Sequence, residues 1–136
     1  MKVNQVLENV PSNGIIVREE GDIVRVFFDI QKQKAETSKD GEVIVPDGMC
    51  TMENVDVFGT RTYDGIVNAI VCDHYPADKM QAIINNHFAN LAKIADGKKL
   101  DADDEEHEAE YNAMQDWRTK AKAVAKDVLE EYIRTH

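Results

Sequence analysis

Cysteine is scarce in this chain of 136 residues, which has only Cys50 and Cys72, in no C-x-x-C arrangement. This is not the pattern of a disulfide-rich secreted domain, and we interpret both as free thiols in a reducing compartment. No apolar run of signal-peptide length follows the start of the sequence. No run approaches the roughly 20 apolar residues that a membrane helix needs, so we expect a cytoplasmic location and no membrane contact.

Basic charge is also scarce, with 16 lysines and arginines against 26 acidic residues, giving a net charge of −10. The acidic excess is even, because residues 1–60 and residues 61–136 each carry a net charge of −5. No basic lobe is therefore available for a phosphate backbone, and we expect no direct binding of nucleic acid. The seven glycines are scattered among turns and form no phosphate-binding loop.

The apolar pattern changes near residue 60. Before it, apolar and polar residues alternate, as in Val24-Arg25-Val26, and alternation is typical of a strand with one face on a core. Turn residues divide this half into short strands joined by hairpins. We predict strands at 3–8, 15–17, 23–30, 42–45 and 49–58, with a bulge possible in the last. The polar segment 31–41 is the predicted flexible loop.

After residue 60, apolar residues recur every three or four positions, which predicts three helices. Thr62 is the expected N-cap of the first helix, and the Tyr75-Pro76 step separates it from the second. Asp96-Gly97 ends the second helix, and the third continues to about Arg134. The predicted buried stripe of the second helix comprises Met80, Ile83, Ile84, His87, Leu91 and Ile94, widened by Phe88 and Ala95.

These elements predict an α+β fold in one domain, residues 1–136. A small N-terminal antiparallel sheet of four or five strands would be packed by three C-terminal helices. No strand–helix–strand unit is repeated, so we expect no crevice of the kind that binds nucleotides.

The third helix has a nearly heptad-spaced seam, formed by Tyr111, Met114, Trp117, Ala121, Val124, Val128 and Tyr132. From Tyr111 to Tyr132 the helix spans about 30 Å, more than a small sheet covers, which leaves part of the seam for another chain. Trp117 fits either a core role or a binding anchor. The candidate interaction residues are Tyr111, Met114, Trp117, Arg118, Val124, Val128 and Tyr132.

Residues that could carry chemistry do not form a recognisable motif. The run 101–110 holds seven carboxylates and His107 but lacks the spacing of a calcium-binding loop. Cys72, His74 and His87 are suitable zinc ligands without paired spacing, and we expect packed histidines rather than a metal site. Nothing indicates a nucleophilic triad. The sequence therefore predicts no catalytic residue, no metal and no cofactor, and a protein that is not an enzyme.

Part of the helical half, residues 63–133, resembles small uncharacterised proteins of bacteriophage and prophage gene clusters. The resemblance is carried by the strings YDGIVNAI at 63–70, YPADKMQA at 75–82, Asn85-Asn86, and EYNAMQDWR at 110–118. It implies a phage-derived accessory or structural protein, in the host cytoplasm or the assembled virion. It assigns no site residue.

Together these observations predict a non-enzymatic, phage-related protein that acts through protein–protein contacts. It would associate with itself or dock into a phage particle or its assembly pathway, so the expected partner is a protein or a second copy. The alternative is an acidic mimic of DNA that binds a host nucleic-acid-binding protein. The net charge favours that alternative, but lysines interleaved along the last helix count against it.

Overall fold

Strands precede helices in a computed structural model of the protein, which describes residues 1–59 and 61–135. The strands are β1 Lys2–Val6, β2 Ile16–Glu20, β3 Ile23–Lys32, β4 Glu36–Thr37, β5 Val43–Val45 and β6 Met49–Phe58. The helices are α1 Tyr63–His74, α2 Ala77–Ala95 and α3 Ala102–Thr135. The α+β prediction is confirmed.

Four of the strands form one antiparallel sheet in the order β1-β6-β3-β2. The two shortest, β4 and β5, pair with each other as a separate ribbon. Residues 31–41, predicted as a loop, are partly ordered into strands, since β3 extends to Lys32 and β4 lies at Glu36–Thr37. Polar residues in this segment thus occupy strand ends as well as the loops between them.

An irregularity in the sheet lies on β3. The pairing register between β3 and β6 shifts between Phe28 and Gln31, and Asp29 has a φ of 51°. The sequence had suggested a bulge in 49–58, but the extra residue belongs to the partner strand. Asp29 accepts a hydrogen bond from Lys120 Nζ at 2.6 Å, which joins the bulge to α3.

The main core lies between one face of the sheet and the helices α1 and α3. Alternation along β3 directs Val24, Val26 and Phe28 to this face, as expected for a strand. Helical spacing supplies the opposite layer, made of Ile66, Ile70 and Val71 from α1 and Ala121, Val124, Ala125 and Val128 from α3. A smaller cluster of Phe27, Cys50 and Met52 lies on the other face of the sheet.

The first two helices begin and end close to the predicted boundaries. Thr62 Oγ1 accepts a hydrogen bond from the Gly65 amide at 3.1 Å, so the N-cap prediction is confirmed. Pro76 is the residue before the first turn of α2, and Asp96 follows its last residue. None of the helices in the described residues combines the length and apolarity required to cross a membrane.

Helix α2 lies apart from the sheet. It packs along α3, whereas α1 contacts both α3 and β6. One side of α2 therefore faces α3 and the opposite side has no neighbour of comparable extent in the described part of the chain. This asymmetry decides which apolar residues remain accessible.

Candidate functional sites on the helical half

Three of the predicted interaction residues lie in the protein's own core. Met114, Val124 and Val128 are 0%, 5% and 2% exposed, because the seam of α3 faces α1, α2 and the sheet. They cannot contact a partner in this fold. The expectation that this part of the seam serves another chain is therefore corrected.

The other four predicted interaction residues are half-buried. Tyr111 stacks on His87, with ring centroids 3.7 Å apart. Trp117 packs against the main core, and Tyr132 lines a small cavity beside it. Arg118 borders the groove between α2 and α3. Tyr111 and Arg118 thus border the groove, whereas Trp117 and Tyr132 lie beside the main core.

An accessible apolar surface lies on α2 instead. Ile84, Phe88, Leu91 and Ala95 share one side of the helix at spacings of four, three and four residues, with Ile94 beside them. Phe88, Leu91 and Ile94 are 60%, 45% and 54% exposed. We call these five residues the α2 face. The predicted buried stripe is therefore wrong for Phe88, Leu91, Ile94 and Ala95.

Helix α2 is also depleted of charge. Residues 80–92 contain no aspartate, glutamate, lysine or arginine, in a chain of which 31% of residues are charged. Exposed helix surfaces normally carry charged side chains, whereas the centres of protein–protein interfaces are depleted of them. The lack of charged residues and the exposure of apolar side chains thus both point to the α2 face.

A groove of about 280 Å³ runs beside the α2 face, between α2 and α3. Its walls are largely apolar and include Met80, Ile84, Phe88 and Tyr111. Arg118 lies at the groove, and its Nη1 is 3.6 Å from the sulfur of Met80. The groove extends the apolar surface of α2 towards α3.

A polar network fixes the end of α2 against the start of α3. Asn90 is 1% exposed, and its Nδ2 donates to the backbone carbonyl of Asp104 at 2.8 Å. Lys93 Nζ donates to Asp104 Oδ2 at 2.6 Å. The Asp104 amide donates to Asp101 Oδ1 at 2.8 Å, which caps the first turn of α3. These bonds hold α2 at a fixed position along α3.

This network makes stability dependent on pH. The hydrogen bond from Lys93, assisted by the bond from the Asp101 amide, holds the pKa of Asp104 below its usual range. A lowered carboxyl pKa contributes stability at neutral pH that is lost as the pH falls through the folded-state pKa. We expect Asp104→Asn to lower the melting temperature at neutral pH, and the difference from wild type to shrink as the pH falls from neutral to below the usual carboxyl range. Melting curves across this range check the prediction, and a constant difference would contradict it.

The acidic run at the start of α3 is partly engaged within the fold. Asp104 binds Lys93, and Glu108 accepts from His87 Nδ1 at 2.7 Å. Asp103, Glu105 and Glu106 are exposed. Two carboxylates that could imitate phosphates are thus directed at α2 rather than at solvent.

A second group of polar residues lies where β6 meets the end of α1. Glu53, Asp73 and His74 place their ligand atoms within 4.8 Å of one another. Their convergence was missed because Glu53 is far from the other two in sequence. Of the three zinc candidates weighed from the sequence, His74 belongs to this group, whereas His87 pairs with Glu108 and Cys72 Sγ contacts Asn68.

Comparisons with known proteins were made through family models, curated proteins and solved structures. No family model matches this chain, and no curated protein or solved structure matches it either. The functional interpretation therefore depends on the geometry of the surfaces described above.

Proposed function

We propose that this protein acts through protein–protein contacts rather than by catalysis, and that its contact surface is the α2 face. The observation that carries the proposal is an exposed apolar stripe on a helix segment without charged residues. Burying Phe88 and Leu91 against a partner removes apolar area from water at about 25 cal/mol per Å². No charged group of residues 80–92 would need to lose its hydration.

The occupant that fits this face is a second copy of the chain. Two molecules of net charge −10 repel each other, so they approach best through a surface that carries no charge. A two-fold contact presents the same face from both copies. The spacing of Ile84, Phe88, Leu91 and Ala95 is that of a heptad seam, which packs against an identical helix. Pairing of α2 with α2 meets both conditions.

The proposed biological setting is a phage particle or its assembly. It is supported by the resemblance of the helical half to proteins of phage and prophage clusters. Two of the strings that carry this resemblance, at 63–70 and 75–82, lie in α1 and at the start of α2. Self-association through α2 is a suitable property for a protein that is built into a larger assembly.

The DNA-mimic alternative has less support. Mimicry requires a continuous acidic face, but Lys93 and His87 engage two carboxylates of the acidic run. Lys120 of α3 is exposed and binds Asp29. No arrangement of carboxylates in the described residues favours this alternative over association through α2.

Phe88→Glu tests the proposal. We expect the wild-type mass, measured by sedimentation across protein concentration, to rise from monomer towards dimer. Because the two copies of residue 88 lie near the centre of the contact, the substituted protein should associate at least about 30-fold more weakly. Salt should strengthen wild-type association, since it screens the repulsion between two acidic chains.

Phe58→Glu is the matched control. Phe58 is 69% exposed at the end of β6, so the substitution changes net charge and apolar surface equally at a distant position. Association should be retained in this variant. A wild-type protein that remains monomeric at every concentration, or an equal loss in both variants, would refute the proposal.

A further inference from the structure

The polar group at the junction of β6 and α1 combines a buried carboxylate with a histidine. The Glu53 side chain is 5% exposed, whereas those of Asp73 and His74 are 24% and 34% exposed. We propose that Glu53, Asp73 and His74 form a binding site for a divalent transition-metal cation such as Zn²⁺. One imidazole and two carboxylates are a donor set that zinc accepts.

The distances between the donor atoms fit this assignment. His74 Nε2 lies 3.2 Å from Glu53 Oε2 and 3.7 Å from Asp73 Oδ2. Ligand atoms bound tetrahedrally to zinc at about 2.0–2.1 Å lie roughly 3.4 Å apart. Two of the three separations are thus close to those of a tetrahedral zinc site, and all three ligand atoms lie within 4.8 Å of one another.

The electrostatics of the group also favour a cation. A carboxylate as buried as Glu53 requires compensation of its charge. The amino group of Met1 lies 3.2 Å from Glu53 Oε2 and contacts Asp73 Oδ2 as well. The two carboxylates thus already attract positive charge to the place where the donor atoms converge. A divalent ion would have to displace the Met1 ammonium, and it would then compensate both carboxylates at once.

His74 is held in position by the neighbouring helix. Its ring stacks on Trp117 of α3, with centroids 3.7 Å apart and planes inclined by 4°. Trp117 is itself fixed by a hydrogen bond from Nε1 to the Ile70 carbonyl at 2.9 Å. The stack fixes the orientation of the imidazole, as hydrogen-bonding partners do for the ligand histidines of metal sites. An ion here would connect β6 to α1 and, through this stack, to α3.

The second stacked histidine provides an internal comparison. His87 lies on Tyr111 with centroids 3.7 Å apart and binds both oxygens of Glu108. In the described residues, however, no third ligand atom converges with this pair to form a metal-binding group. His87 thus has the same stacking and one carboxylate contact as His74, but it lacks a second carboxylate that would complete a metal-binding group.

Titration of the tag-free full chain with ZnCl₂ tests the site. Trp117 is the sole tryptophan and contacts His74, so its fluorescence reports an ion bound there. We expect a saturable fluorescence change and, by calorimetry, one equivalent of Zn²⁺ with a rise in melting temperature. Mg²⁺ should give no comparable change, because it prefers octahedral oxygen ligands.

Three variants locate the binding. Asp73→Asn and His74→Phe should each weaken Zn²⁺ binding by at least about tenfold, since each removes one ligand. Asparagine has the same shape as Asp73, and phenylalanine at 74 keeps a ring for the stack on Trp117, so both variants should fold. His87→Phe should bind zinc as wild type does. Absence of saturable binding in wild type, or binding that His74→Phe retains, would overturn the proposal.

Discussion

Replacing Trp117 by alanine is expected to lower the free energy of unfolding by about 3–5 kcal/mol. The indole packs against the main core, and its ring lies 5.7 Å from Phe28 of the sheet and stacks on His74 of α1. Its N–H donates to the Ile70 carbonyl. Alanine would leave a cavity where α3, α1 and the sheet meet. Urea unfolding followed by circular dichroism measures the loss.

Trp117→Phe separates packing from hydrogen bonding. Phenylalanine retains a ring near Phe28 and His74 but has no donor for the Ile70 carbonyl, so we expect a smaller loss of about 1–2 kcal/mol. If Trp117→Ala left stability unchanged but abolished association, Trp117 would be an interface residue rather than part of the core.

The sequence predicted the division into a β half and a helical half because periodicity depends directly on backbone geometry. It could not predict which apolar side of α2 is covered. That helix has two adjacent stripes, one through Ile83, His87 and Asn90 and the other through Ile84, Phe88 and Leu91. Only the first contains fully buried residues. Both stripes have helical spacing, so the distinction depends on where α3 lies.

The seam of α3 illustrates a similar ambiguity. Heptad spacing requires that one side of a helix be buried, but it does not specify whether the neighbour belongs to the same chain. In this fold Val124 and Val128 pack on the sheet and α1. From its length we expected the seam of α3 to extend beyond the sheet. The helices α1 and α2, however, also pack against α3 and cover the part of the seam that the sheet does not reach.

The proposed metal site was inaccessible to spacing arguments because its ligands come from two elements. One signal was nevertheless present in β6. Glu53 shares its side of the strand with Val55 and Val57, both of which are buried, so a charged residue occupies an inward position. A charge at such a position requires a partner. Identifying that partner required the position of α1 relative to the sheet.

Gly48→Ala is expected to destabilise the protein by about 2–5 kcal/mol, with two separable causes. Gly48 has a φ of 82°, which costs an L-residue roughly 1–2 kcal/mol. A Cβ at this position would also lie 2.7 Å from the Leu7 carbonyl oxygen. Backbone atoms of Leu7, just after β1, and of the turn before β6 would have to separate, although the Leu7 amide donates to the Gly48 carbonyl at 2.9 Å. Urea unfolding measures the combined effect.

Gly41→Ala is the control that separates the conformational part of that effect from the steric part. Gly41 has a φ of 83°, nearly identical to that of Gly48, but a Cβ there would meet no atom within 4 Å. We expect it to lose only the conformational share, about 1–2 kcal/mol. The difference between the two variants then measures how tightly the chain after β1 is held against the turn. Equal losses of stability in the two variants would show that the backbone at Leu7 moves away from a Cβ at position 48 without loss of stability. The close approach at Gly48 would then not fix the position of β1.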